Sequence, residues 1–173
     1  VVFSGKKEYT KVNPLKIQMD KGVHEIVGGE GQMMDVICSH ITIVGKGKDQ
    51  TTIRGGFNVR NELNVTCTFE GLTVTNPNEL GLWFEGSEVN VDVLKCCVKE
   101  CGDSGMFVAS GATVTATQCE FMENRFNGVV CRDAITKVRF NDSTMHHNGM
   151  DGLIAIDRVV VDLHGTKTDI HSN

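Results

Sequence analysis

The sequence predicts an all-β fold, a right-handed parallel β-helix (solenoid) with three short strands in each coil of about 23–25 residues. Three observations support this prediction. A glycine followed by apolar residues recurs at spacings of 24, 23 and 24 residues, and two further apolar columns recur with nearly the same period. Apolar and polar residues alternate around these columns, which is typical of strands with one buried face. Helical repeats need apolar residues at i, i+3 and i+4, and their periods are longer.

The glycine column marks the third strand of each coil. Its four segments are Gly81-Leu82-Trp83-Phe84, Gly105-Met106-Phe107-Val108, Gly128-Val129-Val130-Cys131 and Gly152-Leu153-Ile154-Ala155. Successive side chains of a strand point to opposite faces. We therefore expect the residue after each glycine to face the core, and the next residue to face outward.

Two apolar columns upstream of each glycine define the first and second strands. The first-strand column is Cys67, Val91, Val114, Val138 and Leu163, and the second-strand column is Val74, Val98, Phe121, Met145 and Ile170. Both columns keep nearly the spacing of the glycines. The pattern predicts two short alternating strands, then a turn, and then the third strand.

Polar residues cluster at one phase of the repeat, in the turn before the third strand. Asn124, Asn148 and Asn173 occupy the same position in three successive coils. Because neighbouring strands of a sheet lie roughly 4.8 Å apart, we expect these three side chains to stack in register.

These columns resemble the right-handed parallel β-helix superfamily, the pectate-lyase-like fold, without singling out a member. The resemblance implies an asparagine ladder in the turn between the second and third strands, here Asn124, Asn148 and Asn173. It covers about residues 40–173. Residues 15–25 look like an opening coil, and residues 41–53 are similar to an early coil of pectin esterases and their relatives.

The repeat predicts a single β-helix domain over residues 1–173. Regular coils are expected from about residue 40, with residues 1–39 as an irregular first coil or N-terminal cap. The chain stops within a coil at Asn173. Natural solenoids normally cover their last strand edge, so we expect either a fragment of a longer protein or an end that another chain covers.

Composition and charge argue against several classes of function. The net charge is −5 and the basic residues are scattered, whereas a nucleic-acid interface needs them clustered. No apolar run approaches the roughly 18 residues that cross a bilayer, so no membrane insertion is expected. The seven cysteines are odd in number and irregularly spaced, which favours reduced thiols in the cytoplasm over a secreted disulfide scaffold. No signal peptide is visible after Val1.

The outward positions of the first strand carry the candidate catalytic residues. Column counting places Asp92, Arg139 and His164 on one side of the apolar column, and Lys137 and Asp162 on the other. A lyase or epimerase acting on an acidic polysaccharide needs a base and a cation, roles that Arg139 with His164 or Lys137 could fill. The alternative is an ordinary charge pair between Lys137 and Asp162 on a solvated face.

The resemblance supplies no active site for this face. The sequence has no counterpart of the Gln-Asp-Thr segment of pectin esterases, and no acidic cluster matching a calcium site of pectate lyases. Whether the protein is an enzyme therefore stays open at this stage.

A metal site and a reactive thiol are the weaker hypotheses. His146 and His171 share one second-strand position, and Asp169 adjoins His171, but no third ligand converges on them. We therefore expect no metal and no cofactor. Four cysteines fall at inward positions, whereas Cys97 and Cys101 are predicted to lie outward or in turns, and no activating base for a nucleophilic thiol is identifiable.

The third strand has an apolar outward face, which is unusual for a solvent-exposed surface. Its members are Trp83, Phe107, Val130 and Ile154, with Ile156 beside them. Such a stripe predicts a homo-oligomer or a protein partner; the alternative is a cover formed by residues 1–14. The leading hypothesis is a non-catalytic β-helix that presents a binding or assembly surface, and the rival is a carbohydrate-active or polysaccharide-binding protein.

Overall fold

The computed structural model describes residues 9–60 and 64–173, which form an all-β, right-handed parallel solenoid. Three parallel sheets run along the stack of coils. This confirms the predicted fold class. The first complete coil already begins at Leu15, because residues 15–35 contribute one strand to each sheet in register with the following coil.

The first sheet contains the seven strands that open the coils. They are β1 (Leu15–Gln18), β4 (Ile41–Val44), β7 (Val65–Glu70), β10 (Val89–Leu94), β13 (Thr113–Thr117), β16 (Lys137–Asn141) and β19 (Val160–His164). Burial alternates strictly along β7, where Val65, Cys67 and Phe69 are buried and the residues between them are partly exposed. This is the period of two that the sequence predicts.

The second sheet follows the first after a sharp turn in every coil. Its strands are β2 (Gly22–Glu25), β5 (Thr51–Arg54), β8 (Thr73–Thr75), β11 (Cys97–Lys99), β14 (Glu120–Met122), β17 (Thr144–His146) and β20 (Asp169–His171). Val98, Phe121 and Met145 lie level with one another and are fully buried.

The third sheet closes each coil and carries the glycine column at its entrance. Its strands are β3 (Met33–Asp35), β6 (Gly56–Arg60), β9 (Leu82–Glu85), β12 (Met106–Ala109), β15 (Val129–Arg132) and β18 (Leu153–Ile156). Within the described residues, the only helix is one 3₁₀ turn at Glu30–Gln32. No helix in that part of the chain is long and apolar enough to cross a membrane.

The core is a column of stacked inward side chains inside the coils. Phe69 lies between Phe57 and Phe84, at ring-centroid distances of 4.9 and 6.0 Å, and all three are buried. Lower in the stack, Phe121 and Phe140 meet edge to face at 6.0 Å. Aromatic pairs in such geometries contribute roughly 0.5–1.5 kcal/mol beyond their burial.

Hydrogen-bonded asparagines hold the turn between the second and third sheets. Asn124 donates through Nδ2 to Asn148 Oδ1 at 3.0 Å, and Asn148 donates to Asn173 Oδ1 at 2.8 Å. Asn124 Oδ1 accepts from the backbone N of Cys101 at 3.2 Å, so a cysteine occupies the ladder position of the coil above. Asn127, which donates to Ser104 Oγ at 3.2 Å, begins a second polar column in the same turn.

The asparagine ladder also explains the glycine column. A Cβ atom on any of three glycines would lie against the amide nitrogen of a ladder asparagine, closer than real Cβ atoms approach. The distances are 2.7 Å for Gly105 and Asn124, 2.9 Å for Gly128 and Asn148, and 2.6 Å for Gly152 and Asn173. The carbonyl oxygens of Gly128 and Gly152 crowd Gly105 and Gly128 as well, at 2.8 and 2.5 Å. These strands therefore begin with glycine because ladder amides and neighbouring backbone fill the space that a side chain would need.

The first-strand column differs from the prediction at its last member. Val138 lies level with Val161, and Leu163 lies two residues further along β19. Val161 and Ile170 are nine residues apart, whereas the corresponding residues of the four preceding coils are seven apart. The longer turn passes through Gly165, whose φ of 88° suits glycine. The predicted constant spacing between the first-strand and second-strand columns is therefore wrong for this coil.

We expect Asn148→Ala to lower the free energy of unfolding by about 2–3 kcal/mol, because it leaves buried donors and acceptors of two neighbouring coils without partners. Met150→Ala in the same turn is the control, since Met150 is 58% exposed. Urea unfolding measures both. Equal stabilities of the two variants would contradict a structural role for the ladder.

Candidate functional site

The outward face of the third sheet consists of two adjacent columns. The first, the apolar stripe, contains Trp83, Phe107, Val130 and Ile154, which pair in register across four coils. The second, the charged column, contains Arg60, Glu85, Ala109, Arg132 and Ile156 in register. Ala109 and Arg132 occupy matching positions, two residues after Phe107 and Val130. The face therefore combines apolar and charged groups in fixed vertical order.

Trp83 is the largest side chain of the apolar stripe. Its ring meets Phe107 edge to face at 5.8 Å, and the Arg60 guanidinium lies 4.1 Å from the ring centroid. All four stripe residues are partly exposed. Directly above Trp83 the column becomes polar, because Asn58 donates to Asp35 Oδ1 at 2.6 Å. The stripe is therefore bounded at its upper end.

The charged column is anchored by contacts within the chain. Arg132 Nε lies 3.1 Å from Asp157 Oδ2, and Glu85 Oε1 accepts from Ser110 Oγ at 3.0 Å. Ala109 is buried between these two charged coils, while Ile156 is 42% exposed. The side chains of this column thus stand at defined positions beside the stripe.

The hypothesis that residues 1–14 cover the stripe rests mainly on residues 1–8, which lie outside the described residues. Tyr9 and Thr10 line an open pocket of about 500 Å³ with Cys38, His40 and Thr66. Thr66 belongs to the first sheet. Tyr9 and Thr10 therefore lie beside the first sheet.

The first-sheet face differs from the predicted arrangement because of the register of β19. Arg139 lies level with Asp162, and its Nη2 is 3.2 Å from Asp162 Oδ2. Lys137 lies level with Val160, and His164 with Asn141. The predicted Lys137–Asp162 pair is therefore wrong, as is the placement of His164 next to Arg139 in one column.

This register weakens the catalytic arrangement proposed from the sequence. Arg139 and Asp162 are both about half exposed and neutralise each other. Asp92 lies between Thr68 and Thr115, two coils from Arg139. The proposed base, cation and carboxylates are spread over several columns and do not converge on one point.

A charged network crosses the second sheet, and the sequence analysis did not find it. Lys48 Nζ lies 2.8 Å from Glu120 Oε2, and His146 Nε2 lies 3.0 Å from Glu120 Oε1. Lys48 belongs to the turn before β5, three coils above β14. In this turn the Lys48 backbone oxygen accepts a hydrogen bond from Thr73 Oγ1 at 2.7 Å. Only a turn with several extra residues brings this lysine to Glu120, and no repeating pattern marks it.

The three histidines of the second sheet contact one another. His146 and His171 stack with ring centroids 5.1 Å apart, and His146 Nδ1 lies 2.7 Å from His147 Nδ1. Asp169 lies 3.9 Å from His171. Among residues 9–60 and 64–173, no three ligand side chains converge in a metal-binding geometry.

The positions of the cysteines indicate a structural role. Six are buried, including Cys97 and Cys101, which are 5% and 2% exposed. Cys97 alternates with the inward Val98 along β11, and Cys101 lies in the turn after that strand, as predicted, although both side chains are covered. Burial raises the pKa of each of these two thiols to about 12, so they are protonated at neutral pH. Cys38 is partly exposed, and burial raises its pKa as well.

Residues 25–145 match the family model described as the right handed beta helix region. This range contains most of the coils described above. A search of curated proteins and a search of solved structures each found no significant match.

Glu120 makes the second-sheet network sensitive to pH. The hydrogen bond from Lys48 lowers the pKa of Glu120 and outweighs the effect of burial, which raises it. A carboxyl group with a lowered pKa stabilises the fold fully above its unfolded value, roughly 4.3, and loses this contribution as the pH falls through the folded value.

We therefore expect Glu120→Gln to lower the free energy of unfolding by about 1 kcal/mol at neutral pH, with the difference shrinking as the pH falls below about 4. Urea unfolding across this pH range measures it. Asp162→Asn, which removes an exposed ion pair, is the control and should cost less than about 0.5 kcal/mol. A Glu120→Gln effect that does not change with pH would contradict this role.

Proposed function

This chain belongs to the right-handed β-helix family, and from its third sheet we propose that it is a non-catalytic scaffold whose apolar stripe binds another protein chain. One observation carries the proposal. Four consecutive coils place Trp83, Phe107, Val130 and Ile154 in a single partly exposed column. Continuous apolar surface of this kind marks interaction sites in proteins.

The composition of the stripe fits the centre of a protein interface. Tryptophan and arginine dominate interface hot spots, and here Arg60 stacks on Trp83 beside Phe107. Charged groups are depleted from interface centres and surround them instead. Glu85 and Arg132 flank the stripe in this way.

The rigid support of the stripe also favours binding. Backbone pairing to the coils above and below holds Trp83, Phe107 and Val130, and pairing to the coil above holds Ile154. Little backbone entropy then remains to be lost on association. A flat, ordered sheet face of this type suits a scaffold better than a loop-built catalytic site.

We expect the double substitution Trp83→Asp and Phe107→Asp to disperse oligomers of this chain into monomers, because buried carboxylates would oppose apolar contact. Sedimentation over a concentration series reaching roughly a hundred micromolar measures this. Val27→Asp, at an apolar residue that is 89% exposed elsewhere, is the control and should leave the mass unchanged. Circular dichroism verifies that both variants keep the fold. A wild-type chain that stays monomeric throughout would refute self-assembly.

The second candidate is a protein that binds or cleaves an acidic polysaccharide along the first sheet. The one observation in its favour is the exposed Arg139 within a polar face of threonine and asparagine residues. If it holds, Arg139→Ala should weaken binding of a polyuronate such as polygalacturonate at least about tenfold, through loss of a charged hydrogen bond. Calorimetry and a cleavage assay with the wild-type chain test it; neither binding nor turnover would exclude this function.

A further inference from the structure

The charges beside the apolar stripe follow a self-complementary order. Down the stack, the charged column presents Arg60, Glu85, Ala109, Arg132 and Ile156. The order of charges is therefore plus, minus, neutral, plus, neutral. Reversing the three central positions exchanges Glu85 with Arg132 and leaves the neutral Ala109 in place.

Two copies of a chain that pack the same face together are related by a two-fold axis lying in the interface plane. An axis along the stack keeps each coil level with its copy and reverses the direction of the strands. If this axis runs along the charged column, Arg60, Glu85 and Arg132 each face a like charge, which destabilises the contact. If it runs along the apolar stripe, the charged column faces the glycine column of the other copy, so its charges gain no opposite partner. The charged column therefore opposes a parallel arrangement of the two solenoids.

An axis along strand β12 has the opposite effect. It reverses the order of coils in the second copy, so Glu85 of each copy faces Arg132 of the other, and Arg60 faces Ile156. Ala109, the neutral member, faces itself. Paired sheets pack roughly 10 Å apart, a gap that facing arginine and carboxylate side chains span together.

The apolar stripe fits the same arrangement. Phe107 lies on the axis and meets its own copy, while Trp83 faces Val130. A large side chain thus opposes a small one in two equivalent places. The polar position of Asn58 faces Ile154, at the margin of the contact.

Resting on the function proposed above, we infer that the partner of the apolar stripe is a second copy of this chain, bound antiparallel about a two-fold axis along β12. Six short strands offer less than the roughly 800 Å² per partner of a standard interface. We therefore expect a weak dimer, in which the charge order determines the orientation more than the affinity.

Charge reversal tests the orientation directly. Glu85→Arg and Arg132→Glu should each weaken the dimer by roughly tenfold or more, because like charges then face each other twice per dimer. The two single variants mixed in equal amounts should form a heterodimer, since every facing pair is then opposite in charge. The double variant should regain the homodimer. Lys16→Glu, an exposed charge reversal on the first sheet, is the control.

Sedimentation of each variant and native mass spectrometry of the mixture give the readout. Single variants that dimerise like the wild type, or a mixture that forms no heterodimer, would overturn the antiparallel arrangement. The proposed function would survive that result if the wild-type chain forms an oligomer and the double substitution Trp83→Asp and Phe107→Asp abolishes it. A wild-type chain that never associates would overturn the dimer, and the proposed function would then require a different protein as the partner of the stripe.

Discussion

The structure depends on the in-register stacking of coils, which share hydrogen bonds along all three sheets. Each residue lies about 4.8 Å above its counterpart in the next coil. A residue in one coil must therefore suit the residue above and the residue below it. The asparagine ladder shows this constraint most directly, because Asn148 accepts from Asn124 in the coil above and donates to Asn173 in the coil below.

Stacking also decides which small residues the chain needs. Gly105, Gly128 and Gly152 lie against the ladder, and a Cβ atom there would displace the amide that joins two coils. Cys101 fills the ladder position where Asn124 accepts only its backbone N–H. Buried thiols with raised pKa values serve here as small core groups. The free cysteines thus belong to the packing of the solenoid.

On the outer surface, the same stacking aligns equivalent residues of successive coils into columns, and a whole column can then be apolar or polar. The third sheet acquires an apolar column around Trp83 and Phe107. The first sheet instead carries polar residues such as Asp92, Thr115 and Arg139 in an outward column. This contrast is why the third sheet, and not the first, is the favoured contact surface.

The sequence by itself determined the period, the inward columns, the glycine column and the apolar stripe, because these repeat wherever coils of constant length stack. Only the tertiary structure decided what depends on turns of unequal length. The turn before β19 is one residue shorter than the turn before β16, and the turn at Gly165 is longer, so Asp162 lies opposite Arg139 and His164 lies outside that column. The long turn containing Lys48 brought its ammonium group to Glu120. Periodicity identifies which residues share a strand face. A turn that breaks the period instead sets which charged side chains meet across coils, and the distances between them are fixed only when the chain has folded.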